Sequence, residues 1–170
     1  GEQGQVISVV RDITQSELDA QAIAARAVEL ATVAEVSTAV STILDPNQML
    51  QTVVNLTKER FNLYHAHIYL FDPADNTLNL TVGAGEIGQQ MVAEKRSIPL
   101  AAEKSLVART ARERVGLIVN DVHADPDFLP HPLLPDTAAE MTAPIVVGDK
   151  LLGVLDVQSS ESNRFTQENA

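Results

Sequence analysis

His65 and His67 stand two apart in the run His65-Ala66-His67-Ile68-Tyr69-Leu70-Phe71. On an extended strand that spacing sends both imidazoles to one face, as in some metal sites and in hydrogen-bonded cavity walls. A metal would need a third ligand, with His123 and His131 as candidates. An isolated histidine pair is a poor predictor of metal, so the favoured reading is none, with His65 at the exposed start of the strand and His67 hydrogen-bonded in a semi-polar cavity. Tyr69 and Phe71 share that face and suit either a pocket wall or a core. Catalysis finds little support. Ser159-Ser160 has no histidine or carboxylate visibly placed to activate it. Gly83-Ala84-Gly85-Glu86-Ile87-Gly88 spells G-x-G-x-x-G but does not clearly open a helix of a βαβ unit, so it reads as a glycine loop rather than a phosphate site.

The 170-residue chain carries 12 Lys and Arg against 23 Asp and Glu, a net charge of −11, and no cysteine. Nucleic-acid binding by counterion release needs a basic face, which this composition does not supply. Without cysteine there is no disulfide framework, thiolate zinc site, cysteine nucleophile or thioether-linked cofactor. No stretch approaches the ~18 to 20 apolar residues of a membrane span, and no signal-peptide pattern is seen, so a cytoplasmic module without membrane insertion is expected.

The elements that must position these residues follow from periodicity. Gln5 to Val10 reads as a short strand, unstable alone and therefore the end of a larger unit. From about Ser16 to Leu44 apolar residues at Ile23, Leu30, Val33, Val36, Val40, Ile43 and Leu44 recur at helical spacings, with no Gly or Pro. Such a helix would run ~40 to 45 Å, against about 35 Å for a compact body of the remaining residues. Ile23, Leu30, Val33 and Val40 then form a seam for parallel self-pairing, interrupted by Arg26 and Ser37. Asp45-Pro46 caps a second helix reaching about Arg60. Strands follow at His65 to Phe71 and Leu78 to Val82, joined by an Asp-Pro turn. Next come a short strand near Ile98, a helix from Lys104 to Arg114 and a strand from Gly116 to Asn120. Asp121 to Asp136, with four prolines, is a connection too long to be idle in a compact domain. Met141 to Val147 and Leu151 to Gln158 close the sheet, and Thr166 opens a further helix.

Asn120-Asp121-Val122-His123-Ala124-Asp125-Pro126-Asp127-Phe128, followed by Ala143-Pro144-Ile145-Val146-Val147-Gly148-Asp149-Lys150-Leu151-Leu152-Gly153-Val154-Leu155-Asp156-Val157-Gln158, resembles the C-terminal half of a GAF domain. The hairpin Ala66 to Asp72 and the closing Asn163-Arg164-Phe165-Thr166 fit the same pattern. Gly4 to Thr14, ending Asp12-Ile13-Thr14, is similar to the last strand of a PAS domain. The layout this implies is a PAS remnant over 1–14, a connecting and dimerising helix over 15–44 and a GAF domain over 45–170. The implied fold is α+β, GAF-like, with about six mainly antiparallel strands, helices on both faces and a long N-terminal helix ahead.

The resemblance implies a regulatory small-molecule sensor of a bacterial signalling protein, homodimeric and not itself an enzyme. Its output domain, commonly a histidine kinase or cyclic-dinucleotide enzyme, would lie beyond this chain. The alternatives are a ligand-free dimerisation and relay module and, ranked lower, a noncovalent haem or metal sensor through His123 or His131. The cofactor is left unassigned. Covalent bilin and the methionine-sulfoxide-reducing branch both depend on cysteine, which is missing. In cyclic-nucleotide-binding relatives the position matching His67 contacts ligand. Ligand usually lies between the sheet and the connection matching Asp121 to Glu140. That makes His67, Tyr69, Phe71, Asp121, His123, Phe128 and Met141 the pocket candidates. Asn163-Arg164-Phe165-Thr166-Gln167-Glu168 departs from the cyclic-nucleotide signature, which expects Lys after Asn, and so reads as a closing turn.

Overall fold

The computed structural model describes residues 14–40 and 45–166, with side chains described for 17–37 and 45–166. The strand read at Gln5 to Val10, the PAS-like segment up to Ile13, the helix end at 41–44, the Val40 side chain and the helix expected after Thr166 lie outside them. The chain divides into two compact units, one ending at Thr38 and the other beginning at Ala39.

The first unit holds most of helix α1 (Thr14–Val40). Ala-rich sequence without Gly or Pro favours this helix. Its Ile23, Leu30 and Val33 are 70%, 63% and 51% exposed.

The second unit opens with α2 (Pro46–Arg60). The Asp45 carboxylate caps it, accepting from the Asn47 and Gln48 amides at 2.8 and 3.1 Å, while Pro46 occupies the first turn. Then follow β1 (His65–Asp72), β2 (Thr77–Gly83), α3 (Gly85–Ala93), β3 (Ser97–Pro99), α4 (Leu106–Glu113), β4 (Leu117–Val119), β5 (Ala139–Val147) and β6 (Lys150–Ser159). The six strands form one sheet in the order β3-β2-β1-β6-β5-β4, every neighbouring pair antiparallel. The GAF-like α+β fold expected from the sequence is the fold observed.

Both faces of this sheet are covered, because β1 and β6 present side chains to each. On one face Val54 of α2 packs with Leu63, Ala66, Ile68, Val82, Ala139, Val157 and Phe165. On the other, Met91 of α3 and Val107, Ala108 and Ala111 of α4 pack with Tyr69, Leu78, Leu80, Ile98, Leu134 and Val154.

The glycine run corrects one expectation. It predicts a loop, yet Gly85 opens α3. Gly83 and Gly88 let helix and strand meet backbone to backbone, since a Cβ on Gly88 would lie 2.0 Å from the Gly83 carbonyl carbon. The helix then feeds β3, which pairs antiparallel with β2, so this is no βαβ unit. Among the described residues no helix is long and apolar enough to cross a membrane.

Candidate functional site

Register builds the site. His65 faces Gln158 on β6, and Gln158 faces Glu140 on β5; one row along, His67 faces Asp156, which faces Thr142. Side chains directly opposite on one sheet face stand about 5 Å apart. These two adjacent rows therefore place six polar residues side by side, and all six are buried. Strands of this length normally bury apolar atoms, and polar groups interred in this way need partners.

Some partners are present. His67 Nε2 donates to Asp156 Oδ2 at 2.7 Å. Gln158 Oε1 accepts from the Thr137 hydroxyl at 2.7 Å, and the Thr142 and Thr110 hydroxyls meet at 2.5 Å. Others are missing among the described residues: Asp156 Oδ1, His67 Nδ1, both ring nitrogens of His65 and Arg96 Nε are buried without a hydrogen-bond partner there. Each such group costs about 1–3 kcal/mol relative to a satisfied one.

Next to these groups is a cavity of about 20 Å³, enough for water but far below the several hundred Å³ of a drug-sized site. Its walls are His67, Tyr69, Glu140, Asp156 and Gln158 from the sheet, Arg96 from the turn before β3, Met91, Ile98, Ser105 and Leu106. Its roof is Leu129, His131 and Leu134 from the β4–β5 connection. That connection, the stretch marked in the sequence as too long to be idle, has neither helix nor strand over 120–138. It is pinned by buried Val122 and Leu134, by the Asp136 amide donating to the Tyr64 hydroxyl at 3.4 Å, and by His131 lying 3.7 Å from Glu94.

The electrostatics follow from burial. Desolvation, then the neighbouring charges of His67, Lys58 and His131, lowers His65 to about 3, so its ring is neutral at physiological pH. Burial, reinforced by Asp156 and Asp125 and opposed by Arg96, holds Glu140 well above the ordinary carboxylate value. Burial and then Asp156 raise the Tyr69 hydroxyl, against the opposing pull of Arg96. Desolvation, then Arg96, lowers His131, while Glu94 acts the other way.

Of the pocket residues read from the sequence, His67 and Tyr69 line the cavity, their rings edge to face at 5.3 Å. The other five lie elsewhere. Phe71 packs against the apolar cluster of that face, beyond the cavity. Asp121 is exposed and accepts from the His123 amide at 3.2 Å, a turn bond. His123 is also exposed, its ring 6.5 Å from that of half-buried Phe128. Met141 packs with the opposite cluster, because on β5 it is Glu140 that faces the cavity. His65, read as exposed, is fully buried, since β6 extends to Ser159 and Gln158 covers it. Among the described residues no group of three His, Asp or Glu side chains is placed to hold a metal ion.

Glu140, Asp156 and Arg96 were missed. Asp156, a lone acid inside the apolar run Leu151 to Val157, was the available signal.

Residues 43–170 match the family model described as GAF domain. The chain belongs to the GAF domain family. Among solved structures, this GAF domain is similar to that of a phosphoenolpyruvate-protein phosphotransferase from Coxiella burnetii, at 20% identity, with 82% of each chain covered and a TM-score of 0.73. A putative GAF sensor protein from Burkholderia vietnamiensis is 23% identical over 85% of each chain, with a TM-score of 0.70. Free methionine-R-sulfoxide reductase from Neisseria meningitidis, solved with its substrate, is 21% identical over 82% of this chain and 77% of that one, with a TM-score of 0.70. At these identities the likeness is one of fold. A comparison with curated proteins finds no match.

Proposed function

We propose that this GAF domain is a non-catalytic regulatory module that binds a small polar ligand over the His67–Asp156 pair. It passes occupancy, or the state of an upstream PAS domain, through a helical dimer seam in a cytoplasmic signalling protein such as a sensor histidine kinase. One observation carries the ligand reading: unpartnered Asp156 Oδ1, His67 Nδ1 and Arg96 Nε are gathered at one cavity roofed by an irregular connection. A chain selected only for stability would have filled that space with apolar side chains or paired these groups. Relay requires the ligand to favour one arrangement of the helices over another.

A second reading has its own observation. The exposed Ile23, Leu30 and Val33 on α1 and the small cavity suit a module that dimerises and relays without a ligand. A thermal-shift screen with cyclic nucleotides, amino acids and small carboxylates separates the two. The sensing reading expects at least one compound to raise the melting temperature and to lose that effect in Asp156→Ala. A screen blank throughout, with a crystal structure showing the cavity filled by side chains, would leave the ligand-free reading standing.

A further inference from the structure

We infer that residues 163–166 are a conformational latch. Asn120, at the head of the β4–β5 connection, holds them, they in turn hold the C-terminal end of α2, and the three parts open and close as one unit. The latch works whatever occupies the cavity, and so goes beyond the ligand reading.

The connection begins at Asn120, directly after β4. The Asn120 side chain grips one residue from both sides. Its Nδ2 donates to the Phe165 carbonyl at 2.8 Å, and its Oδ1 accepts from the Phe165 amide at 3.0 Å. Its own carbonyl accepts from the Asn163 amide at 3.0 Å. A carboxamide carries a donor and an acceptor on one planar group, as the backbone of a neighbouring strand would present them, whereas an ionised Asp accepts only. Asn163 brings the chain to this position through a left-handed turn at φ +59°.

From the latch two contacts run to α2. Arg164 Nη2 donates to the carbonyl of Phe61 at 3.0 Å. Phe61 is the C-cap of α2, where the last carbonyls have no partner within the helix and a cation is favoured. The Phe165 ring is 5% exposed and packs with Val54 of α2, Leu63 and Val157.

The neck of the connection is tied to the same place. The Val122 amide donates to the Ala138 carbonyl at 3.0 Å, and the Ala138 amide to the Ser159 carbonyl at 2.8 Å. The two ends of the connection thus close on each other and on the last residue of β6, from which the chain enters the latch. An irregular segment held at its neck by a few hydrogen bonds is where local opening concentrates. Parting of this neck displaces Asn120, frees Phe165 from both sides and withdraws Arg164 from α2. A change in the connection is thereby delivered to α2.

Native-state hydrogen exchange, read by NMR on the full chain, tests this. The reporters are the amides of Val122, Ala138, Asn163 and Phe165, with that of Leu63, which donates to the Lys58 carbonyl at the end of α2. In the unaltered protein their opening constants should agree within about threefold and share one urea dependence, while the slowest amides of β1 and β6 report the rarer global unfolding. Asn120→Ala should raise opening at all five by about tenfold or more, because two hydrogen bonds to the backbone are lost. The Ala102 amide, bonded to the Pro99 carbonyl in a separate turn, should keep its rate. Arg164→Ala removes the bond to α2 and should raise opening at Val122 and Ala138 by the same factor as at Leu63. A purely local capping role would move Leu63 alone and overturn the inference. So would latch and neck amides that differ by more than threefold in the unaltered protein, or that open only with global unfolding. Those two comparisons need no substitution and decide even if a variant does not fold.

Discussion

His65 and Glu140 occupy the same polar face and pull stability in opposite directions with pH. The unfolded chain protonates His65 below its ordinary 6.5, whereas the folded chain resists until about 3. Between those values the unfolded state binds more protons, so this residue's contribution is present above pH 6.5 and is lost as pH falls, by roughly 2 kcal/mol at pH 5 at 1.36 kcal/mol per unit. Glu140 behaves oppositely. Its folded value lies above the ordinary 4.5, so above pH 4.5 the folded state binds more protons and stability is lost as pH rises through that raised value. Where the two windows overlap, above pH 4.5, the two slopes oppose each other. Glu140→Gln removes one of them, and urea-unfolding free energies of that variant should then fall toward pH 5 by roughly 1.4 kcal/mol per unit. His65→Gln, combined with it, should flatten the profile again. A Glu140→Gln profile parallel to that of the unaltered protein over this range would show that these groups do not titrate as their burial dictates.

The element that binds the site together is β6, and its weakest tolerance is at Gly153. A Cβ there would stand 2.1 Å from the Tyr69 carbonyl oxygen of β1, inside any allowed contact. The backbones of β1 and β6 would have to separate beside a cavity wall. Gly153→Ala should therefore cost about 2–3 kcal/mol, as overpacking does, and lower the melting temperature by roughly 4–12 °C. Gly148→Ala is the control: its φ of +56° carries only the left-handed penalty of about 1 kcal/mol, with nothing within 4 Å of the new methyl. Equal losses in the two variants, read by calorimetry, would contradict the close-approach account. The same register explains what the sequence made legible. Period-two alternation marked β1, the Asp-Pro turn after it marked β2 as the returning strand, apolar runs about Gly148-Asp149-Lys150 marked β5 and β6, and two histidines in an apolar strand pointed to His67 and Tyr69. Helix α3 stayed hidden because Gly85 and Gly88 lower helix propensity, and the contact that repays Gly88, with Gly83, exists only after folding. Asp156 and Glu140 stayed hidden for a similar reason. His67 and Asp156 are 89 residues apart, and no local pattern specifies which strand lies beside which.

At the scale of the whole molecule the unanswered surface is α1. Ile23 and Leu30 are seven residues apart, Val33 follows three later, and these three side chains are more than half exposed. Burying them against a second copy at the usual ~25 cal/mol per Å² would contribute several kcal/mol, whereas leaving them in water contributes nothing. The proposed partner is a second copy of this chain, paired in parallel along Ile23, Leu30, Val33 and Val40. Charge then predicts how the pairing responds to solution conditions. Between Thr14 and Val40 the helix carries Glu17, Asp19, Glu29 and Glu35 against Arg26 alone. In a parallel dimer the two acidic helices repel, and salt screens that repulsion over about 10 Å at 0.1 M. Light scattering at tens of micromolar should give twice the 18.3 kDa of one chain, with a dissociation constant that tightens as salt rises from 0.05 to about 0.5 M. Leu30→Glu with Val33→Glu adds four charges to the seam of a dimer and should leave a monomer whose second unit unfolds at an unchanged temperature. A monomer in the unaltered protein at these concentrations, or a dimer that survives both substitutions, would place the relay surface somewhere other than α1.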